Sequence, residues 1–380
     1  ILFILCFGVP YYLVTTVYAL WLAGRVRRSE AVSIPEQIGS TYGPAARTVA
    51  AVIMLIITVP APYQLMLGLI VQAISGWPLF ASILAATVVS LVYVYRGGLR
   101  SDVYANIVQI VLMYAAMAAL VAFSMSTYGS PLNLWDKMPE THRSIPGTMG
   151  WTPVIVWFFV AMQTFIDPNF HVRAAAARDV TTARRGMLWS VALWMVFDVL
   201  QLLAGLYVLV HLPQTDPGNA YLALAESTLP VIWKGLFLAG IVAAVMSTLD
   251  GYALVSATTI GHDLIDTMRG RTPSVRSLRI GLFAAAGIGL LAAWAVPSII
   301  DLVYRAASIV VPALLLPLLR SFRPIHDPER RSILALMVLP AIASVISLAS
   351  NLGEPMIVGV CVSVIAFLII TPRRDPRTRQ

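Results

Sequence analysis

Ser247, Thr248 and Asp250 lie close together in an apolar stretch that begins at Lys234 and continues to Asp263. Hydroxyl and carbonyl oxygens are the hard ligands a small cation needs once it sheds its water. A stretch this long and apolar is a candidate membrane span. Three polar side chains inside a span are costly unless they face protein, water or an ion. The chemistry this suggests is binding of a cation or a solute at membrane depth. On a helix Ser247 shares its face with Ala244, Asp250 and Gly251, a small and polar strip. A plainer reading stays open, in which both hydroxyls bond back to a carbonyl one turn earlier.

The elements that must hold these residues are membrane helices. Hydrophobic residues make up 59% of the 380 and charged residues only 12%, against about 25% charged in an ordinary soluble domain. Mean hydropathy is +0.82. Apolar runs predict about eleven spans, near Leu2–Ala23, Ala45–Ile74, Leu79–Tyr95, Val103–Phe123, Trp151–Ile166 and Met187–Leu212. The others fall near Val231–Ile260, Leu278–Val296, Ile299–Leu319, Ser332–Ala349 and Pro355–Ile370. Residues 1–380 thus read as one multi-pass, all-α membrane domain in the lipid bilayer, which excludes a soluble binding module. The fifth run is short and meets Asp167-Pro168-Asn169, which cannot continue a regular helix. Cys6 and Cys361 lie in apolar runs and form neither a disulfide framework nor a metal-ligand spacing. No nucleophile–base pair is apparent, so an enzyme is not expected.

The net charge of +8 is an orientation signal rather than a nucleic-acid footprint. Alternate loops carry Arg25, Arg27, Arg28 and Arg47, then Arg96 and Arg100, then Arg173, Arg178, Arg184 and Arg185. The same side carries Arg269, Arg271, Arg276 and Arg279, then Arg320, Arg323, Arg330 and Arg331, and the tail arginines Arg373, Arg374, Arg377 and Arg379. The opposite loops hold only Lys137, Arg143 and Lys234. Positive charge marks the cytoplasmic side, so the chain is expected to begin outside and end in the cytoplasm of a cell-membrane protein.

Three stretches carry a family likeness. The first is Arg96-Gly97-Gly98-Leu99-Arg100-Ser101-Asp102-Val103-Tyr104-Ala105-Asn106-Ile107-Val108-Gln109, with a Gly-Gly pair where a tight turn between spans needs permissive backbone. The second runs from Asp167-Pro168-Asn169 through Arg173-Ala174-Ala175 to Ala183-Arg184-Arg185-Gly186. The third is Ala243-Ala244-Val245-Met246-Ser247-Thr248-Leu249-Asp250. In order, spacing and membrane side they resemble the sodium:solute symporter family, and the third is very similar to its bacterial sodium/proline and sodium/pantothenate branch. The resemblance implies a five-plus-five inverted-repeat, leucine-transporter-like fold. It also implies that the first two family helices are absent, so that Ser247, Thr248, Gln163 and the broken fifth span should line an open trough. The implied function is sodium-coupled symport of a small organic solute by alternating access. The alternative is a symporter-like membrane sensor module, which a signalling domain beyond the last span would mark.

The resemblance also assigns residues. It implies that sodium, the co-transported ion, is bound by Ser247, Thr248 and the carbonyl of Ala244. Counting back from Arg173, it places Val160, Gln163 and Thr164 on the substrate face, although a polar residue packing between helices is an equal reading of Gln163. The family's Thr-Asp step reads Ala105-Asn106 here, so a carboxylate that would attract a second sodium is missing and one sodium per cycle is expected. Asp102, one turn earlier, is the only nearby substitute. Asp250 reads as a gating or structural charge. Arg305 is the only basic residue well inside a span, one turn from Asp301. It either pairs with Asp301 inside the bundle or clamps a carboxylate solute. Asp198 is a further intramembrane acid whose partner the sequence does not name.

Overall fold

A computed structural model of the chain describes residues 4–29, 31–145, 147, 150–323 and 327–370, without the side chains of residues 93, 96–102 and 327–331. Asp102, the side chains of the Arg96–Arg100 turn, Arg330, Arg331 and the tail arginines therefore lie outside the described residues. The described residues are helical and contain no strand. In chain order they form α1 (Ile4–Arg28), α2 (Ile34–Tyr42), α3 (Pro44–Thr58), α4 (Ala61–Ser75) and α5 (Leu79–Tyr128). There follow α6 (Trp151–Ala161), α7 (Pro168–Ala176), α8 (Val180–His211), α9 (Ala220–Thr228) and α10 (Val231–Thr258). The last are α11 (Val275–Ala295), α12 (Ile299–Ser321), α13 (Asp327–Ser350) and α14 (Pro355–Ile370). Eight segments are long and apolar enough to cross a membrane, and Leu79–Val92 and Pro355–Ile370 are shorter apolar helices. This is a multi-pass membrane bundle.

Two interruptions shape the centre. The ladder stops at Pro60, between α3 and α4, and because Pro62 also has no N–H to offer, the carbonyl of Thr58 turns to Ser256 Oγ on α10, which donates to it at 2.5 Å. After α6 the chain tightens into a 3₁₀ segment, Met162–Ile166, and breaks at Asp167-Pro168. There Asp167 Oδ1 accepts the Asn169 N–H at 2.8 Å and caps α7. A change of direction within α5 adds to these two breaks.

The α5 backbone is helical throughout, whereas a turn was expected at Gly97-Gly98. Its two arms nevertheless run in opposite senses along α10. Ala86 packs with Leu249, and Leu91 and Val94 pack with Ala253 and Ala257. In the other arm Asn106 meets Ser247, and Leu112 and Ala116 flank Gly240. A straight helix of 50 residues would be about 75 Å long, more than twice the ~30 Å hydrocarbon core. The reversal falls between Val94 and Val103, at the position the glycine pair marks, and it lays both arms along α10.

Small residues let these helices approach closely, as membrane packing requires. A Cβ on Gly240 would lie 2.3 Å from Ala116 Cβ and 2.9 Å from the Leu112 carbonyl oxygen. One on Gly281 would lie 2.5 Å from the Ala257 carbonyl oxygen, and one on Gly261 2.6 Å from that of Ser277. Gly287 has open space around it. Gly240→Leu is accordingly expected to cost about 1–3 kcal/mol by overpacking and to lower the melting temperature in detergent. Gly287→Ala should leave it unchanged or raise it. Equal melting of the two variants would contradict the close α5–α10 contact.

Candidate functional site

A cavity of about 660 Å³ runs between α1, the broken α6–α7 segment, α8 and α10. Gln163, Thr164, Asp167 and Asn169 contribute from the break, and Ser247, Thr248, Gly251 and Tyr252 from α10. The trough expected from the sequence is thus present, with the expected side chains on its wall.

Both hydroxyls of the Ser-Thr pair are tethered through their hydrogens. Ser247 Oγ donates to Asn106 Oδ1 on α5. Thr248 Oγ1 donates to the Ala244 carbonyl at 3.4 Å, a long and loose bond. A hydroxyl that donates its one hydrogen still keeps two acceptor lone pairs, so back-bonding and cation ligation are compatible here. Ala244 itself lines a separate cavity of about 290 Å³, beside Met66, Met113 and Gln201. Asp250 is buried, stands 3.4 Å from Ser90 Oγ, and faces α5 rather than the trough. Gly251 admits Asn169, whose Oδ1 would lie 2.8 Å from a Cβ there.

The break supplies functional candidates that sequence reasoning passed over. Asp167 is 8% exposed, and besides Asn169 it accepts the hydroxyl of Tyr252 at 2.7 Å. Tyr252 stacks on Tyr63 of α4 with ring centroids 5.0 Å apart. The buried His171 imidazole is pushed down to about 4 by loss of solvent, so at neutral pH it is uncharged. Its Nε2 lies 2.8 Å from the Phe165 carbonyl, a group the break leaves without a helical partner, and donates to it. The signal for this set was the acid of Asp167-Pro168-Asn169 at the end of an apolar run. In the sequence that run marks a helix break and part of the family likeness, and neither names the partners of the acid.

Other expectations are corrected by position. Val160 is fully buried in the core cluster with Val154, Trp157 and Ile166, on the packed face of α6, and does not line the trough. Gln163 and Thr164 do reach it. Arg305 and Asp301 are exposed on α12, with no ion pair between them among the described residues. The pair inside the bundle is therefore not formed. Asp301 instead presents its backbone N–H to Ser298 Oγ at 3.3 Å, capping α12. Asp198 has its partner: Tyr12 of α1 donates to its Oδ2.

With this geometry in view, comparison with known proteins gives one consistent answer. A sodium:solute symporter family model matches residues 3–322. The chain belongs to the sodium:solute symporter family. It is 25% identical over 305 residues to the high-affinity proline transporter PutP of Bacillus subtilis, covering 72% of this chain and 63% of that protein. It is 25% identical over 309 residues to the sodium/glucose cotransporter of Vibrio parahaemolyticus, covering 68% and 56% respectively. Against the sodium/pantothenate symporter of Escherichia coli it is 22% identical over 244 residues, covering 61% and 50%. The chain thus spans between half and somewhat under two thirds of these relatives, all of them transporters rather than enzymes. A substrate-bound, outward-open Na+-coupled sialic acid symporter structure matches with a TM-score of 0.78 at 15% identity, covering 95% of this chain and 82% of that one. The fold is therefore the leucine-transporter-like one.

The Tyr252–Asp167 bond is the contact most open to test. Tyr252→Phe leaves a buried carboxylate short of a donor and should cost about 1–3 kcal/mol, read as a lower melting temperature in detergent. Asp167→Asn keeps an acceptor for Tyr252 and should cost less. The reverse order would show that the two do not depend on each other.

Proposed function

We propose that this chain is the core of a sodium-coupled symporter that takes up a small organic solute by alternating access. The observation that carries this reading is the Ser247–Thr248 pair on the wall of the trough, its hydrogens engaged and its lone pairs available. Sodium sits on neutral oxygens of Ser247, Thr248 and the Ala244 backbone, and the solute lies beside Gln163 and Thr164 at the broken helix. Neutral ligands suit a cation that must be released each cycle, since binding must be weak enough to let it leave. The arginine-rich loops support an orientation with the start of the chain outside and its end in the cytoplasm.

Asn106 bears on stoichiometry. Its amide oxygen accepts from Ser247, so a carboxylate in its place would put a full negative charge beside the pair. With asparagine there, one sodium per solute is the proposed ratio.

Two outcomes test the mechanism in the intact carrier reconstituted into vesicles. Replacing Ser247 and Thr248 together by Ala should raise the sodium concentration for half-maximal uptake about tenfold or more, if one ligand is worth ~1.4 kcal/mol. Unchanged sodium dependence would remove the pair from the mechanism. The reversal potential of the solute-coupled current should correspond to one sodium, and a value matching two would overturn the role given to Asn106.

A further inference from the structure

Gln163, Tyr63 and Tyr252 each line two cavities. One is the trough, and the other is a smaller space of about 230 Å³ on the far side of the same three residues. The smaller cavity is walled by α3, α4, α11 and α12, through residues such as Ile57, Pro62, Ala292, Leu302, Val303 and Ala306. Tyr63, Gln163 and Tyr252 supply the only polar side chains of its described wall, and no charged residue reaches it. It lies below the ~300–1,000 Å³ range of pockets that take drug-sized ligands, so it suits one small group rather than a whole extended molecule.

The three shared residues are unequal. The Tyr252 hydroxyl is already committed to Asp167, and its ring is stacked against Tyr63. Gln163 Oε1 is buried and has no hydrogen-bond partner among the described residues. A buried amide oxygen without a donor is an exception that needs a reason, and an acceptor at the lip between two cavities has an evident one. It meets an N–H or O–H on whatever spans the lip. The trough side is different in kind: Asp167, Asn169 and Arg173 all contribute there.

The geometry points to a specific class of solute for the symport proposed above, on which this inference rests. It is a small amphipathic molecule whose aliphatic end fills the 230 Å³ cavity, with a hydrogen-bond donor beside that end for Gln163 Oε1 and its polar end in the trough. A polyhydroxylated solute is disfavoured, because its hydroxyls would enter a wall with polar groups on one side only. Each one left unpaired would lower affinity by about tenfold or more.

The test is a tail-length series on the purified intact carrier. The probes are straight-chain 2-amino acids and 2-hydroxy acids of increasing length, the matching unsubstituted carboxylates, D-glucose and myo-inositol. Sodium-dependent shifts in melting temperature and uptake into vesicles are read in parallel. Affinity should rise about fourfold for each buried methylene until the cavity is full, and then fall. The unsubstituted carboxylates should bind about tenfold more weakly than the 2-substituted acids. In Ala306→Leu the optimum should move to a shorter tail. Stabilisation or uptake with glucose or inositol, or no dependence on tail length in any series, would overturn the inference. Sodium-dependent uptake confined to the sugars would leave symport standing and remove this solute class. A tail-length optimum identical in sodium and in choline would keep the aliphatic seat and remove sodium coupling.

Discussion

The hydrogen bond from Tyr252 to the buried carboxylate of Asp167 is the contact on which the centre of this bundle depends. In hydrocarbon every freed backbone group and every buried polar atom must find a partner inside the protein. This chain interrupts its own helices at Pro60 and Pro168, and α10 answers both breaks with side chains one turn apart. Thr248, Tyr252 and Ser256 lie four residues from one another, so they share a face. Tyr252 reaches the second break, and Ser256 reaches the Thr58 carbonyl at the first. Thr248, on the trough wall, bonds back to its own helix rather than to either break.

Close packing keeps that row in register. Both arms of α5 pack along α10, and glycines at 240, 261 and 281 bring backbone against backbone. At the arginine-rich end, Arg47 of α3 pairs at 2.8 Å with Asp263, whose side chain is completely buried. Ser33 donates to the same carboxylate oxygen at 2.9 Å, and Asp266 accepts from Ser277 at 2.6 Å. A buried ion pair adds little net stability once desolvation is counted. Its clearer effect is geometric, since it ties the end of the α10 segment to the start of α3.

The arrangement also lets one membrane helix hold the bundle together and face a cavity with the same side chains. A hydroxyl has one hydrogen and two lone pairs. Ser247 and Thr248 use the hydrogen to satisfy the protein and leave the lone pairs to the cavity. The same economy holds at the break, where Asp167 accepts from both Asn169 and Tyr252 and is thereby held on the trough wall.

By itself the sequence determined the class, most of the membrane helices and the run that carries Ser247 and Thr248. Those depend on local quantities: hydropathy over a run, charge alternation between loops, and the short order of Ala244, Ser247 and Thr248. The proline break at Pro168 and the reversal near Gly97-Gly98 were legible for the same reason, because backbone chemistry acts within a few residues. Partnership was not legible. That Asp198 meets Tyr12, that Asn106 accepts from Ser247, and that Asp167 holds Tyr252 depend on residues far apart in the chain. The two side chains that moved furthest from expectation failed on orientation. Val160 lies in the core beside Trp157 and Ile166, and Arg305 on the exposed face of α12. Only tertiary structure decides which face of a helix meets a cavity, because that angle is set by neighbouring helices.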